Sequence, residues 1–195
     1  MKILQLFAIY LVVFIHGCCF IEGRRDKKEI TAFFKTCTGN VIIGSSQVAN
    51  VGTQVKSHEK ITAKDNVQDA LIQFKDFGKT NETGIKIQKN SSLYYISDKN
   101  MSIDSLIIHL EKGQIGLTSK KQKKGKENIK IVVVTDKYKA VFECNSNHCV
   151  SNQNGDLILA ILPNRLKIYE GSGQCIIGQE EYRIDKNQDC MPKSL

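Results

Sequence analysis

Punctuation constrains this chain more than any single motif. From about Ile30 onward its apolar residues fall into short runs, each closed by Gly, Asn, Asp or Ser. Ala70-Leu71-Ile72-Gln73-Phe74 and Gly84-Ile85-Lys86-Ile87-Gln88 are brief, and the second alternates apolar with polar, the period of a half-buried strand. Ile129-Lys130-Ile131-Val132-Val133-Val134 is β-branched and starts by alternating, while Leu157-Ile158-Leu159-Ala160-Ile161-Leu162 is continuous and suits a buried strand. Asp104-Ser105-Leu106-Ile107-Ile108-His109-Leu110 fits either a helical turn or a strand. Its shortness, its aliphatics and the closing Glu111-Lys112-Gly113 favour the strand. Between the runs stand Asp76-Phe77-Gly78, Asn90-Ser91-Ser92, Asn154-Gly155 and Glu170-Gly171-Ser172-Gly173. Only two prolines occur, so the turns rest on Gly, Asn, Asp and Ser. Asn154-Gly155 suits a type I′ hairpin turn, whose two central residues need positive φ. The pattern predicts an all-β domain: a compact roll, sandwich or short β-solenoid of many short strands around one core.

The N-terminus has a different chemistry. Met1-Lys2 opens an apolar run through Ile15 that stops at His16-Gly17-Cys18. A short positive start, an apolar core and a small residue before a cysteine read as an export signal over residues 1–17. The run is about 13 residues, roughly 20 Å as a helix, against the roughly 30 Å of a hydrocarbon core. Ile15-His16-Gly17-Cys18 resembles a bacterial lipobox, in which the lipidated cysteine becomes the new N-terminus. His16 departs from the strict pattern and fits the looser lipoboxes of spirochaetes. The competing reading is an ordinary secretory signal with Cys18 and Cys19 left as plain residues. On the lipobox reading Cys18 carries the acyl chains, which anchor stably when two or three are present. Residues 18–34, with the charged stretch from Glu22 to Glu29, form a tether, and residues 35–195 form the β domain with its C-terminal tail.

Lipidation of Cys18 leaves six cysteines, an even set that allows 15 connectivities. Cys144 and Cys149 flank the turn-rich Asn145-Ser146-Asn147-His148 and form one local candidate pair. Cys175 and Cys190 form a second, stapling the tail to the last strands. Export supplies the oxidising compartment that such pairs need. Cys144, His148 and Cys149 lack the paired spacing of a zinc site, and His58 and His109 stand alone in the sequence, so no metal is expected.

The formal net charge is +8, and loss of Lys2 with the signal leaves about +7. Lys120, Lys121, Lys123, Lys124 and Lys126 concentrate much of it. Such a run is either a solvated hairpin loop or a contact for anionic lipid, glycan or another polyanion. Nucleic acid is not expected, because the chain is exported and no aromatics interleave with the lysines. Nor is an enzyme. Glu180 and Glu181 are adjacent and point to opposite faces of a strand. Ser102 and Ser105 lack a nucleophile elbow, and no glycine-rich phosphate loop precedes a helix, so no cofactor is implied. Tyr94-Tyr95 reads as a strand pair with one ring buried and the other half exposed.

The order of the segments carries a resemblance. Thr38-Gly39-Asn40-Val41 comes first, then Val51-Gly52-Thr53-Gln54-Val55, His58-Glu59-Lys60-Ile61-Thr62-Ala63 and Asp69-Ala70-Leu71-Ile72-Gln73-Phe74-Lys75-Asp76. Ile85-Lys86-Ile87, Asn90-Ser91-Ser92-Leu93, Leu110-Glu111-Lys112-Gly113-Gln114-Ile115, Ile131-Val132-Val133-Val134-Thr135, Arg165-Leu166-Lys167-Ile168 and Ile176-Ile177-Gly178-Gln179 follow. Over roughly residues 35 to 185 this resembles the FecR domain, a β-rich extracytoplasmic module of bacterial envelope proteins. Lys139-Ala140 stands where the family has a Gly-Thr pair, Cys144 and Cys149 follow it, and Asn164 replaces a usual Gly. No cytoplasmic regulatory segment or spanning helix is read ahead of the domain, so the anti-sigma role of the family's namesake is not expected here. The resemblance implies an envelope module, anchored to the membrane by lipid, that recognises a protein or glycan or serves as scaffold. The alternative class is a secreted, disulfide-bonded eukaryotic glycoprotein with an extracellular partner. Asn81-Glu82-Thr83, Asn90-Ser91-Ser92 and Asn100-Met101-Ser102 match its N-glycosylation acceptor.

Overall fold

The computed structural model describes residues 30–75, 77, 81–99, 104–121, 129–144 and 157–192. Among them are seventeen strands and no helix. One sheet has eight strands. In spatial order these are β17 (Asp189–Cys190), β14 (Arg165–Glu170), β13 (Leu157–Leu162), β10 (Ile115–Lys121), β7 (Asn81–Ile87), β6 (Asp69–Lys75), β1 (Thr31–Thr38) and β4 (Gln54–Val55). The other has nine: β16 (Glu180–Ile184), β15 (Gly173–Ile177), β12 (Lys139–Cys144), β11 (Ile129–Val134), β9 (Asp104–Lys112), β8 (Ser92–Lys99), β5 (Ile61–Ala63), β2 (Val41–Ile43) and β3 (Gln47–Val48).

β9 and β11 pair in parallel. Every other pairing among the described residues is antiparallel, which leaves a sandwich or roll and excludes the short solenoid. The period of two explains the layering. β6 and β9 bury every second side chain, and the inner faces of both sheets meet in one core that runs from Ile30 to Cys190. The segment 104–110 is a strand, β9, as its aliphatic run favoured. β13 differs from expectation. Its apolar run alternates, so Leu157, Leu159 and Ile161 are buried while Ile158, Ala160 and Leu162 are half-buried on the outer face. A continuous apolar run therefore does not require two fully buried faces. The domain also starts earlier than residue 35. Ile30 is buried and β1 begins at Thr31, so residues 31–34, read as tether, belong to the folded body.

Three side-chain links tie the sheets together. Tyr95 on β8 donates its hydroxyl to the Val55 carbonyl on β4 at 2.6 Å and meets Phe74 on β6 edge-to-face, ring centroids 5.0 Å apart. Tyr138, just ahead of β12, donates to the Leu162 carbonyl on β13 at 2.8 Å, and burial pushes its phenol pKa up. Cys175 on β15 is disulfide-bonded to Cys190 on β17, with the Cα atoms 5.6 Å apart. Each link spans the apolar interior, where a polar group must find a partner.

The sheet edges are blunt. β3, β4 and β17 have two residues each, too few to template a foreign strand. β16 is longer, at five residues, and carries Glu180, Glu181 and Arg183 exposed.

Candidate functional site: a lysine-bearing sheet face

The outer face of the eight-stranded sheet gathers basic side chains around a floor of very small ones. Strand register fixes the arrangement. One row across the sheet runs Leu71, Lys86, Gly116, Ala160, Lys167, Asp189. The next runs Phe33, Gln73, Gly84, Thr118, Ile158. Lys86 and Lys167 therefore stand three strand spacings apart, about 14 Å, with only Gly116 and Ala160 between them. Beyond Thr118 the exposed Lys120 is paired in register with the exposed Glu82 on β7, and Lys121 ends β10.

The glycines do different things. A Cβ on Gly84 would lie 3.2 Å from the Ile72 carbonyl and 3.3 Å from Leu71 Cδ1, so the Leu71 side chain already leans over that position. A Cβ on Gly116 would meet nothing closer than 3.8 Å, which makes Gly116 the open part of the floor. The lysines are held lightly. The Lys86 ammonium is 3.7 Å from the Asp69 carboxylate, and the Lys167 ammonium lies 5.4 Å from the centroid of the exposed Tyr169 ring. Arg165, at the far end of β14, is engaged by Asp189 at 2.5 Å. Hydrated lysine point charges at two sides of a bare backbone floor suit sulfate, phosphate or carboxylate groups on a flat polymer. The Tyr169 ring adds a stacking surface at the rim.

The other predicted residues are dispersed. Cys18, Lys123, Lys124, Lys126 and Cys149 lie outside the described residues, and so does Asn154-Gly155. Cys144 is the last residue of β12, and its side chain lies outside the described ones. Cys37 is a free thiol on β1 that donates to the Ala49 carbonyl at 3.4 Å. Burial, then the Asp69 charge, push its pKa up. Cys37 is therefore not half of a disulfide.

Tyr94 and Tyr95 divide as alternation requires. Tyr95 is buried, and Tyr94 stacks on His109 on the outer face of the nine-stranded sheet, centroids 4.4 Å apart and nearly parallel. The two histidines that stand alone in the sequence are brought near each other. His58, at φ +70°, donates its backbone N–H to the Tyr95 carbonyl, and its charge adds to burial in lowering the His109 pKa. Glu180 and Glu181 sit on the edge strand β16, and Ser105 is half-buried on β9. Asn90 is exposed in a turn at φ +58°, Asn81 opens β7, and Asn100 and Ser102 lie outside the described residues.

Sequence reading singled out Lys120 and Lys121 and passed over Lys86, Lys167, Gly116 and Tyr169. The alternation around Lys86 marks it as outward, yet only the register places it on one face with Lys167. Among the described residues no three His, Cys, Asp or Glu side chains cluster as metal ligands. None of the protein-family models, curated proteins or solved structures compared with this chain matches it.

Proposed function

We propose that this chain is an exported, lipid-anchored, non-enzymatic envelope protein whose FecR-like β domain recognises an anionic glycan. The observation that carries the recognition role is the outer face of the eight-stranded sheet, where Lys86 and Lys167 flank the Gly116–Ala160 floor. The lipobox-like Ile15-His16-Gly17-Cys18 and the order of the FecR-like segments supply the envelope setting. A glycan fits better than a protein core, because the face is open, lysine-rimmed and carries one exposed aromatic rather than a packed apolar patch.

The test is binding of the full-length protein to a sulfated polysaccharide such as heparin, against uncharged dextran of equal length. Binding to heparin alone, falling with salt and lost in Lys86→Glu/Lys167→Glu, is the expected result. Equal binding by that variant moves recognition off this face. Mass spectrometry of the native protein tests the setting: acyl chains on Cys18 support the anchor, whereas glycans on Asn81, Asn90 or Asn100 of an unacylated chain assign it to the secreted glycoprotein class.

A further inference from the structure

β16 ends the nine-stranded sheet and is the longest sheet edge among the described residues. Its residues pair with β15 as Ile177–Glu180, Ile176–Glu181, Cys175–Tyr182, Gln174–Arg183 and Gly173–Ile184. The connection is the two-residue turn Gly178-Gln179, with Gly178 at φ +61°, the position a type II′ hairpin turn gives to glycine. The residues flanking such a turn exchange both backbone hydrogen bonds, and the pairs then alternate along the hairpin. The backbone groups of Glu180, Tyr182 and Ile184 are thereby turned toward β15. Those of Glu181 and Arg183 point to the open side.

A strand can pair with a second copy of itself only antiparallel if the pair has twofold symmetry, and outward-bonding residues must then face each other. Five twofold centres on β16 satisfy this rule, and three of them, at Glu181, Tyr182 and Arg183, pair three or more of its residues with those of the other copy. Centring on Glu181 sets two glutamates opposite each other. Centring on Arg183 sets two arginines opposite each other and Glu181 against Asp185. Centring on Tyr182 places Glu181 of each copy directly across from Arg183 of the other, twice, with four backbone hydrogen bonds. Glu181 and Arg183 are both exposed on the outer face, and Arg183 Nε is 2.9 Å from Asp185 Oδ1, which leaves most of its fork open. Tyr182 packs on the edge of the core and is half-exposed, so its twin would cover the remaining ring surface.

We propose that β16 is a self-association edge, joining two copies through antiparallel β16–β16 pairing centred on Tyr182. The same charges that discourage an apolar foreign strand select this partner and this register. Five residues a side is well below the roughly 800 Å² per partner of a standard interface, so the association is weak and reversible.

Sedimentation of the purified full-length protein up to about 1 mM tests this, with reversible dimers expected in the upper part of that range. Glu181→Arg and Arg183→Glu each weaken association at least about tenfold, because two opposed charge pairs become like-charged. The double reversal, Glu181→Arg with Arg183→Glu, restores it to within about threefold of the parent. Arg183→Pro removes an outward N–H without touching the β15 ladder, so it abolishes dimers while the melting temperature stays close to the parent's. A protein that stays monomeric throughout, single reversals without effect, or a double reversal that fails to restore association each overturn the proposal.

Discussion

Cutting the Cys175–Cys190 bond is the perturbation whose size the structure defines best. The two cysteines are 15 residues apart in sequence, are fully buried, and lie on different sheets. Closing a loop of that length in the unfolded chain contributes about 3 kcal/mol at 25 °C. For a body of this size each kcal/mol moves the melting temperature by about 2–4 °C, so the loss corresponds to about 6–12 °C. Alanine is the right replacement, because serine hydroxyls in this dry position would add about 1–3 kcal/mol of unmet hydrogen bonding and mask the loop effect. Comparing Cys175→Ala/Cys190→Ala with the oxidised parent isolates this bond, whereas a reducing agent would also act on any other disulfide. The assay is guanidinium unfolding of both proteins, with amide exchange read at Asn187, whose N–H donates to the Ile168 carbonyl at 2.7 Å beside β17. β17 has only two residues, so without the covalent link this amide exchanges earlier than the core. An oxidised parent within about 1 kcal/mol of the double variant, with Asn187 equally protected in both, would refute the reasoning.

Three further outcomes follow from single positions. Gly173→Ala puts a Cβ 2.5 Å from the Phe142 ring and 2.8 Å from the Val141 carbonyl, so it destabilises by about 1–3 kcal/mol, measured by denaturant midpoint. Tyr95→Phe removes the donor to the buried Val55 carbonyl and loses about 1–3 kcal/mol; an unchanged midpoint would show that water replaces it. His109 titrates below the ordinary histidine value, first through burial and then through the His58 charge, so His58→Gln raises its pKa in an NMR titration. The unfolded chain then binds the proton more readily than the native one. This contribution to stability is complete above the unfolded pKa and is lost as pH falls through the lower native value. Glu111, held below the usual carboxylate range chiefly by its hydrogen bond from Lys60, adds a loss of the same sign at lower pH.

Much of the fold was legible because it rests on local rules. Alternation in 84–88 and the β-branched run at 129–134 gave strands where strands occur, and Asn90 takes the positive φ that a short polar side chain tolerates in a turn. The misreadings have equally local causes. Leu157–Leu162 carries no polar residue, so its outward face is invisible to a reading of hydropathy alone. The tether boundary at residue 34 passed over the change from the charged Arg24-Arg25-Asp26-Lys27-Lys28-Glu29 to the apolar Ile30-Thr31-Ala32-Phe33-Phe34, which is where β1 starts.

The site was less legible because register, not composition, assembles it. Lys86 and Lys167 are 81 positions apart in the sequence and become neighbours across Gly116 and Ala160 only after β7, β10, β13 and β14 have been aligned. A slip of one residue in any of those pairings would turn one lysine into the core, so the buried Ile85, Leu117, Leu159 and Ile168 hold the basic face in place from below. Glu181 and Arg183 show the same dependence over a shorter span. As residues they read only as a solvated edge. The two-residue turn at Gly178 sets which backbone groups face outward, and that parity leaves one register in which a second copy meets opposite charge at both positions. Arg183→Gln removes the charge and keeps the outward N–H, whereas Arg183→Pro removes both. Self-association should be weakened in the first and abolished in the second, and equal loss in both would show that charge alone, without backbone pairing, holds the copies together.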